Sequence, residues 1–203
     1  MTRVLAAAAA LTVTAIACAH AGSATTSDTS TSQPPATTRQ IPTGSDAQTV
    51  ADFKKRLDDY SALHNKLEQT LPPRPKDATS AAIEAHQRAL EAQLKEHRKT
   101  ARRGDLFTPD VERLIRRLLT QLFTGPDGAT LKATIMDENP MGVKLAVNSR
   151  YPDDAPVSTM PPQVLALLPK LSEELEYRFI GDRLILLDVH AHTVADFIEK
   201  ALP

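Results

Sequence analysis

The chain has 203 residues, with 24 Lys+Arg against 25 Asp+Glu and a formal net charge of −1. A near-neutral chain with 4% aromatic residues and no Trp lacks the basic, aromatic-rich surface of a nucleic-acid binder, so no nucleic-acid partner is expected. A single cysteine excludes an intramolecular disulfide framework, and stability must come from aliphatic packing.

The first predicted element is an export signal. Arg3 precedes an apolar run over residues 4–17 that is broken only by Thr12 and Thr14. That run is too short to span a bilayer but suits the core of a signal peptide. Two cleavages fit the small residues that follow. "Ala15-Ile16-Ala17-Cys18" looks like a lipobox, with cutting before Cys18, lipidation of its sulfur and residues 1–17 removed. Ala15 stands there where lipoboxes favour Leu. "Ala19-His20-Ala21" is an A-x-A site that would remove residues 1–21. Either cut places the chain outside the cytoplasm. The lipid would make the membrane its first partner, and Ala19 after the cysteine resembles outer-membrane sorting. The expected location is periplasmic and membrane-anchored, with a soluble periplasmic or secreted form as the alternative.

Residues 18–46 are rich in Ser, Thr and Pro, with Ile41 as the only large aliphatic residue. Such a segment buries too little apolar surface to offset its ordering entropy and reads as a disordered tether. At this length a flexible chain averages about 30 Å end to end.

Residues 47–203 read as one α+β domain. Val50, Phe53, Leu57, Tyr60, His64, Leu67 and Leu71 follow a 3-4 spacing that predicts a first helix with a heptad-like seam. Pro72, Pro73 and Pro75 end it. A second helix carries Ile83, His86, Leu90, Leu94, His97 and Ala101 on its stripe, with Asp77 as N-cap and Gly104 as C-cap. Together, residues 47–104 predict an antiparallel helical hairpin. In residues 105–128, Thr108, Pro109 and Asp110 open a third helix with Val111, Leu114, Ile115, Leu118, Leu119 and Leu122 on its apolar face, and "GPDG" turns the chain. Residues 129–203 should hold the sheet. "ATLKATIMDEN" reads as a short helix. Val143, Leu145 and Val147 alternate as a strand would. "PPQVLALLPKL" is a proline-initiated helix, and "LEYRFIGDRLILLDVHAH" is a hairpin turning at Gly181-Asp182. "TVADFIEKAL" would close as a helix, with Val194, Phe197, Ile198 and Leu202 on one side. The expected fold is a helical hairpin and a third amphipathic helix, packed on one face of about three antiparallel strands with a C-terminal helix.

The stretch "VNSRYPDDAPVSTMPPQVLALLPKLSEELEYRFIGDRLILLD", together with "ARRGDLFTPDV", resembles an uncharacterised family of exported bacterial proteins of unknown function, read as lipoproteins. The resemblance covers most of residues 50–200. It implies export but brings no activity, cofactor or site residue.

Signals for chemistry are sparse. Asp188, His190 and His192 alternate in "DVHAH" and would share one strand face, a candidate metal site that still lacks a further ligand. His64, His86 and His97 fall on the hairpin seam, where they could form a pH-sensitive element or a metal clip, although partly exposed, hydrogen-bonded histidines are the commoner outcome. Glu173, Glu174 and Glu176 read as a solvated run before a strand. No nucleophile-elbow motif occurs. Residues 47–104 carry 12 Lys+Arg against 8 Asp+Glu, net +4, and residues 129–203 carry 7 against 11, net −4. Lys95, Arg98, Lys99, Arg102 and Arg103 concentrate near the end of the second helix. They either complement the helix dipole or form an anion-binding patch. Leu63 lies off the seam and needs the third helix, the sheet or a partner molecule to cover it. The expected function is a non-catalytic cell-envelope protein, a tethered binding or assembly module whose hairpin meets a protein partner or a second copy. No cofactor is expected. The alternative is a metal-dependent enzyme built on the DxHxH strand.

Overall fold

The 3-4 spacing of apolar residues after residue 47 does produce a long helix. In the computed structural model, which describes residues 44–73, 77–137, 139, 142–155 and 160–203, helix α1 spans Gly44–Glu68. Its buried side chains are Phe53, Leu57, Tyr60, His64 and Leu67, five members of the predicted seam. The signal segment, Cys18 and the tether up to residue 43 lie outside the described residues. The last tether residues, 44–46, are helical, and Asp46 pairs with Arg117 at 2.8 Å.

Helix α2 spans Ser80–His97 and lies against α1. Its N-cap is Thr79, whose hydroxyl accepts the Ala82 N–H, and not Asp77. It ends at Arg98 rather than at Gly104, which sits in the following loop at φ +92°. Helix α3 spans Pro109–Phe123, with Pro109 at its first position, and also packs against α1. The "GPDG" turn then feeds α4, Gly128–Asp137. Gly128 is required there: a Cβ would stand 2.0 Å from the Phe123 carbonyl oxygen. Helix α5, Pro162–Leu167, starts on its prolines as expected.

The sheet has three antiparallel strands in chain order: β1 Leu175–Ile180, β2 Arg183–Asp188 and β3 Thr193–Ile198. Gly181 and Asp182 connect β1 to β2, with Gly181 at φ +59°, as a two-residue hairpin turn demands. Two expectations fail here. The segment "TVADFI" is β3 and not a helix, and no helix follows the sheet. Residues 143–147 are irregular rather than a strand.

One irregularity explains the first. A bulge between Leu186 and Leu187 pairs Leu186 with Asp196 but Leu187 with Val194, leaving Ala195 as the extra residue. Val194 and Phe197 consequently share one face of the sheet, while Ala195 and Ile198 share the other. Same-face residues three apart imitate helical periodicity. Val143, Leu145 and Val147 do alternate, but they lie over the sheet as a cover and not in it. With Tyr151, they pack on Ile180, Ile185, Leu187, Val194 and Phe197. The sheet is thus covered on both faces, which is why β2 reads as a nearly continuous apolar run.

The main core lies between the opposite sheet face and the helices. Phe53, Leu57 and Tyr60 of α1 meet Val111, Ile115 and Leu119 of α3, Val164 of α5, and Tyr177, Phe179, Leu184 and Leu186 of the sheet. Each such side chain contributes roughly 1.5–3 kcal/mol on full burial. A smaller cluster holds the hairpin to the sheet: Leu67, Leu90, Leu94 and Ala191, with Leu63 and Leu71 half-buried against them. Ala191 belongs to the β2–β3 connection, so this turn is wedged against both hairpin helices. Asp196 ties the other end. Its buried carboxylate accepts the backbone N–H groups of Gly104, Leu106, Phe107 and Phe197 at 2.8–3.2 Å, fastening the α2–α3 loop to β3.

Candidate functional site

The wedged β2–β3 turn brings polar side chains from three elements together. The sequence placed Tyr60, His64 and Glu68 four residues apart, so α1 presents all three along one stripe. Tyr60 and His64 are buried, and Glu68 emerges at the helix end. From β2, Asp188 enters the same interior at 0% exposure. The Tyr60 hydroxyl donates to Asp188 Oδ2 at 2.8 Å, His64 Nδ1 donates to the same oxygen at 2.6 Å, and the Ala191 N–H donates to Oδ1 at 2.8 Å. Arg98 stacks its guanidinium 4.8 Å above the Tyr60 ring.

The far side of His64 faces Glu68. His64 Nε2 lies 3.3 Å from Glu68 Oε2, and His190 Nδ1, carried on the β2–β3 turn, lies 3.3 Å from the same oxygen. From α2, His86 Nε2 reaches the other oxygen, Oε1, at 3.2 Å. The His64 and His190 rings are 5.3 Å apart, tilted by 53°. Three imidazoles thus converge on one carboxylate, and a second carboxylate stands behind the innermost ring. One ring nitrogen each from His64 and His190 and one oxygen of Glu68 all lie within 4.8 Å of one another. The cluster runs from a fully buried His64 side chain to a Glu68 side chain 25% exposed and a His190 side chain 32% exposed. Beside it runs a surface groove lined by Asn65, Glu68, Gln69, Leu71, Pro72, Pro73 and His86.

Electrostatics follow this geometry. Burial alone would lower the His64 pKa, but the hydrogen bond and charge of Asp188, helped by Glu68, raise it above the ordinary histidine value. Burial would raise Glu68, yet the bond from His86 and the charge and bond of His190 bring its carboxyl below the usual glutamate range. Burial and the Asp188 charge push the Tyr60 hydroxyl well above the ordinary tyrosine value, so it remains a donor.

Only part of this was named from the sequence. Asp188, His190 and His192 do not share a strand face, because β2 ends at Asp188 and the two histidines sit on the turn. Asp188 points to His64, and His190 points to Glu68. His192, at φ +54°, packs edge-on against Tyr151, with Nε2 3.6 Å from Asp153 Oδ1. Among the seam histidines, His64 and His86 join the cluster. His97 does not; its Nδ1 bonds the Gln93 carbonyl on the exposed face of α2. Glu68 was missed, although its position four residues after His64 was a signal.

The basic run is largely engaged within the molecule. Lys95 pairs with Glu91 at 2.6 Å, Lys99 with Glu96 at 3.0 Å and Arg103 with Glu112 at 3.6 Å. Arg98 donates to Asn148 Oδ1 at 2.6 Å and to the Ala195 carbonyl at 3.2 Å, pinning the end of α2 to β3. At Arg102 it is the backbone N–H, not the guanidinium, that donates to Asp105 Oδ2, at 2.9 Å. Glu174 is buried, not solvated, and accepts the Ser172 hydroxyl at 2.8 Å.

No protein-family model, curated protein or solved structure matches this chain.

Proposed function

We propose that this chain is a non-catalytic binding module of the cell envelope, exported by its N-terminal apolar run and tethered by a lipid on Cys18. The binding half of this reading is carried by one observation: three imidazoles converge on one partly exposed carboxylate beside an open groove. Among the described residues, none lining that groove carries a hydroxyl or thiol that could act as a nucleophile. In the buried network the Tyr60 hydroxyl is aimed at Asp188 and away from solvent. Such a site can hold a ligand between its imidazoles and carboxylate. The tether half is supported by the sequence: a lone cysteine behind an apolar run, followed by a long Ser/Thr/Pro-rich segment. Among the described residues, no helix is long and apolar enough to cross a membrane.

Radiolabelled palmitate fed to expressing bacteria tests the tether. Label should enter the wild-type chain and not Cys18→Ser. Equal labelling of both, or a mature chain beginning at residue 22, overturns it. An interaction through the helical hairpin belongs to the same reading. Ile83, a predicted member of the α2 seam, is 36% exposed and offers an apolar contact on the outer helix. Envelope cross-linking that captures the chain alone would remove the assembly part.

A further inference from the structure

We propose that His64, Glu68 and His190 form a binding site for one divalent transition-metal ion of the zinc type, with Asp188 and His86 holding two of the ligands from behind. The proposal rests on reading this cluster as a binding site; it does not depend on where the chain resides.

Hydrogen positions decide which lone pairs face the cluster. His64 Nδ1 must carry its hydrogen, because it lies 2.6 Å from a carboxylate oxygen of Asp188. A neutral His64 therefore turns the lone pair of Nε2 toward Glu68 Oε2, two acceptors facing each other at 3.3 Å. The contact is repulsive unless a cation lies between them. A second proton on His64 or a metal ion would both serve, and cobalt titration separates the two. A charge-assisted N–H···O bond closes to about 2.7–2.9 Å. His64 meets Asp188 at 2.6 Å, at the short extreme of such bonds, whereas His64 and His190 both stand 3.3 Å from Glu68 Oε2, spacings that leave room for an ion. Tetrahedral bonds of about 2.0–2.1 Å put neighbouring ligand atoms about 3.3–3.4 Å apart. Both spacings match that edge.

The supporting shell is also that of a metal site. Ligating histidines characteristically donate their other ring N–H to a carboxylate, which fixes the tautomer and sharpens the lone pair. Asp188 does this for His64, and it is itself held by the Tyr60 hydroxyl and the Ala191 N–H. His86 occupies Oε1 of Glu68 and leaves Oε2 facing the two other rings. Two imidazole nitrogens and one carboxylate oxygen favour zinc, cobalt, nickel or copper over calcium or magnesium, which prefer all-oxygen shells. The partly exposed Glu68 and His190 give an entry path, and the fourth position would open toward solvent.

The test uses the full 203-residue chain, stripped with chelator, in a Cys18→Ser background so that no thiol competes. Cobalt(II) is titrated while its visible absorption is followed, and zinc(II) is then used to displace it. One equivalent should bind with the intense bands of tetrahedral coordination, and zinc should abolish them. His190→Ala, on the exposed turn, and Glu68→Gln should each weaken cobalt binding at least 100-fold with the far-ultraviolet circular dichroism unchanged. Asp188→Asn should weaken it about 10–100-fold, as loss of an outer carboxylate does. His97→Ala and His192→Ala should bind as wild type. Should Glu68→Gln fail to fold, His190→Ala decides the matter alone. Absence of cobalt binding, or binding by His190→Ala at wild-type affinity, overturns the metal site. Palmitate labelling of Cys18 is unaffected by that outcome, so the tether reading stands or falls separately.

Discussion

Asp188→Asn is the perturbation that most directly probes how the interior of the cluster is held. The wild-type carboxylate accepts three hydrogen bonds with no exposure to water: two on Oδ2, from Tyr60 and His64, and one on Oδ1, from Ala191. Asparagine has the same shape but a single acceptor oxygen. If that oxygen takes the place of Oδ2, the amide nitrogen confronts the Ala191 N–H, and a buried donor is left unsatisfied at about 1–3 kcal/mol. The two remaining bonds lose their charge assistance, roughly halving bonds worth about 1.5–3 kcal/mol each. Relief of the carboxylate's desolvation returns part of this. Removing one partner of a buried pair typically costs about 3–5 kcal/mol, so a net loss of about 3 kcal/mol is expected. The assay is urea unfolding at pH 7 with chelator present, so that metal binding does not contribute. Tyr60→Phe, which removes one donor and leaves the carboxylate its other two, should cost only about 1 kcal/mol. A loss below about 1 kcal/mol for Asp188→Asn would mean that the carboxylate is not the keystone of this interior, and the reasoning would fail.

Three other outcomes follow from the packing. Burial would raise the Glu174 carboxyl, but the hydroxyls of Ser61 and Ser172 and its own backbone N–H bring it below the usual glutamate range. Its folded pKa is thus below its unfolded one. The stability it contributes is present above about pH 4.3 and is lost as pH falls through the folded value. Thermal melts between pH 7 and 3 should therefore show a shallower acid decline for Glu174→Gln than for wild type, and parallel curves would contradict this. Gly128→Ala places a Cβ 2.0 Å from the Phe123 carbonyl oxygen and should lower the melting temperature by several degrees, whereas Gly44→Ala meets nothing within 4 Å and should leave it unchanged or slightly raised. Leu63 is half-buried against Leu67, Leu90 and Leu94. Leu63→Glu should therefore destabilise the monomer by about 1–3 kcal/mol in urea unfolding; a fully stable variant that loses only an association would show that Leu63 serves an interface instead.

Much of the helical half was legible because a single physical signal set it. The α1 seam, its proline stop and the Pro109 start of α3 are local patterns, and local patterns survive in the fold. Helix α2 was less exact: Thr79 caps it in place of Asp77, and Ile83 is exposed although it lies on the stripe. The C-terminal half failed where periodicity was altered by pairing. The extra residue at Ala195 gives β3 a three-residue repeat that no single strand would show alone. Residues 143–147 alternate because they cover a sheet, a role that sequence cannot distinguish from lying within one. The site was half legible. His64, His86, Asp188 and His190 each drew notice, but in two separate groups. Joining them required the β2–β3 turn to wedge against α1 and α2 through Ala191, a contact between residues more than 90 apart in the chain. Glu68 carries no distinct signal in the sequence beyond its spacing from His64, because a glutamate at a helix end is ordinarily a solvated residue.

Whether the cluster on α1, α2 and the β2–β3 turn binds an ion or is a closed hydrogen-bond network is visible by diffraction. Anomalous diffraction at the zinc edge, from crystals of the chain grown with zinc, measures this directly. One strong peak is expected about 2.0–2.2 Å from His64 Nε2, Glu68 Oε2 and His190 Nδ1, with Asp188 still bonded to His64 Nδ1. No peak there, with zinc confined to surface carboxylates and the three side chains still bonded to one another, would contradict it.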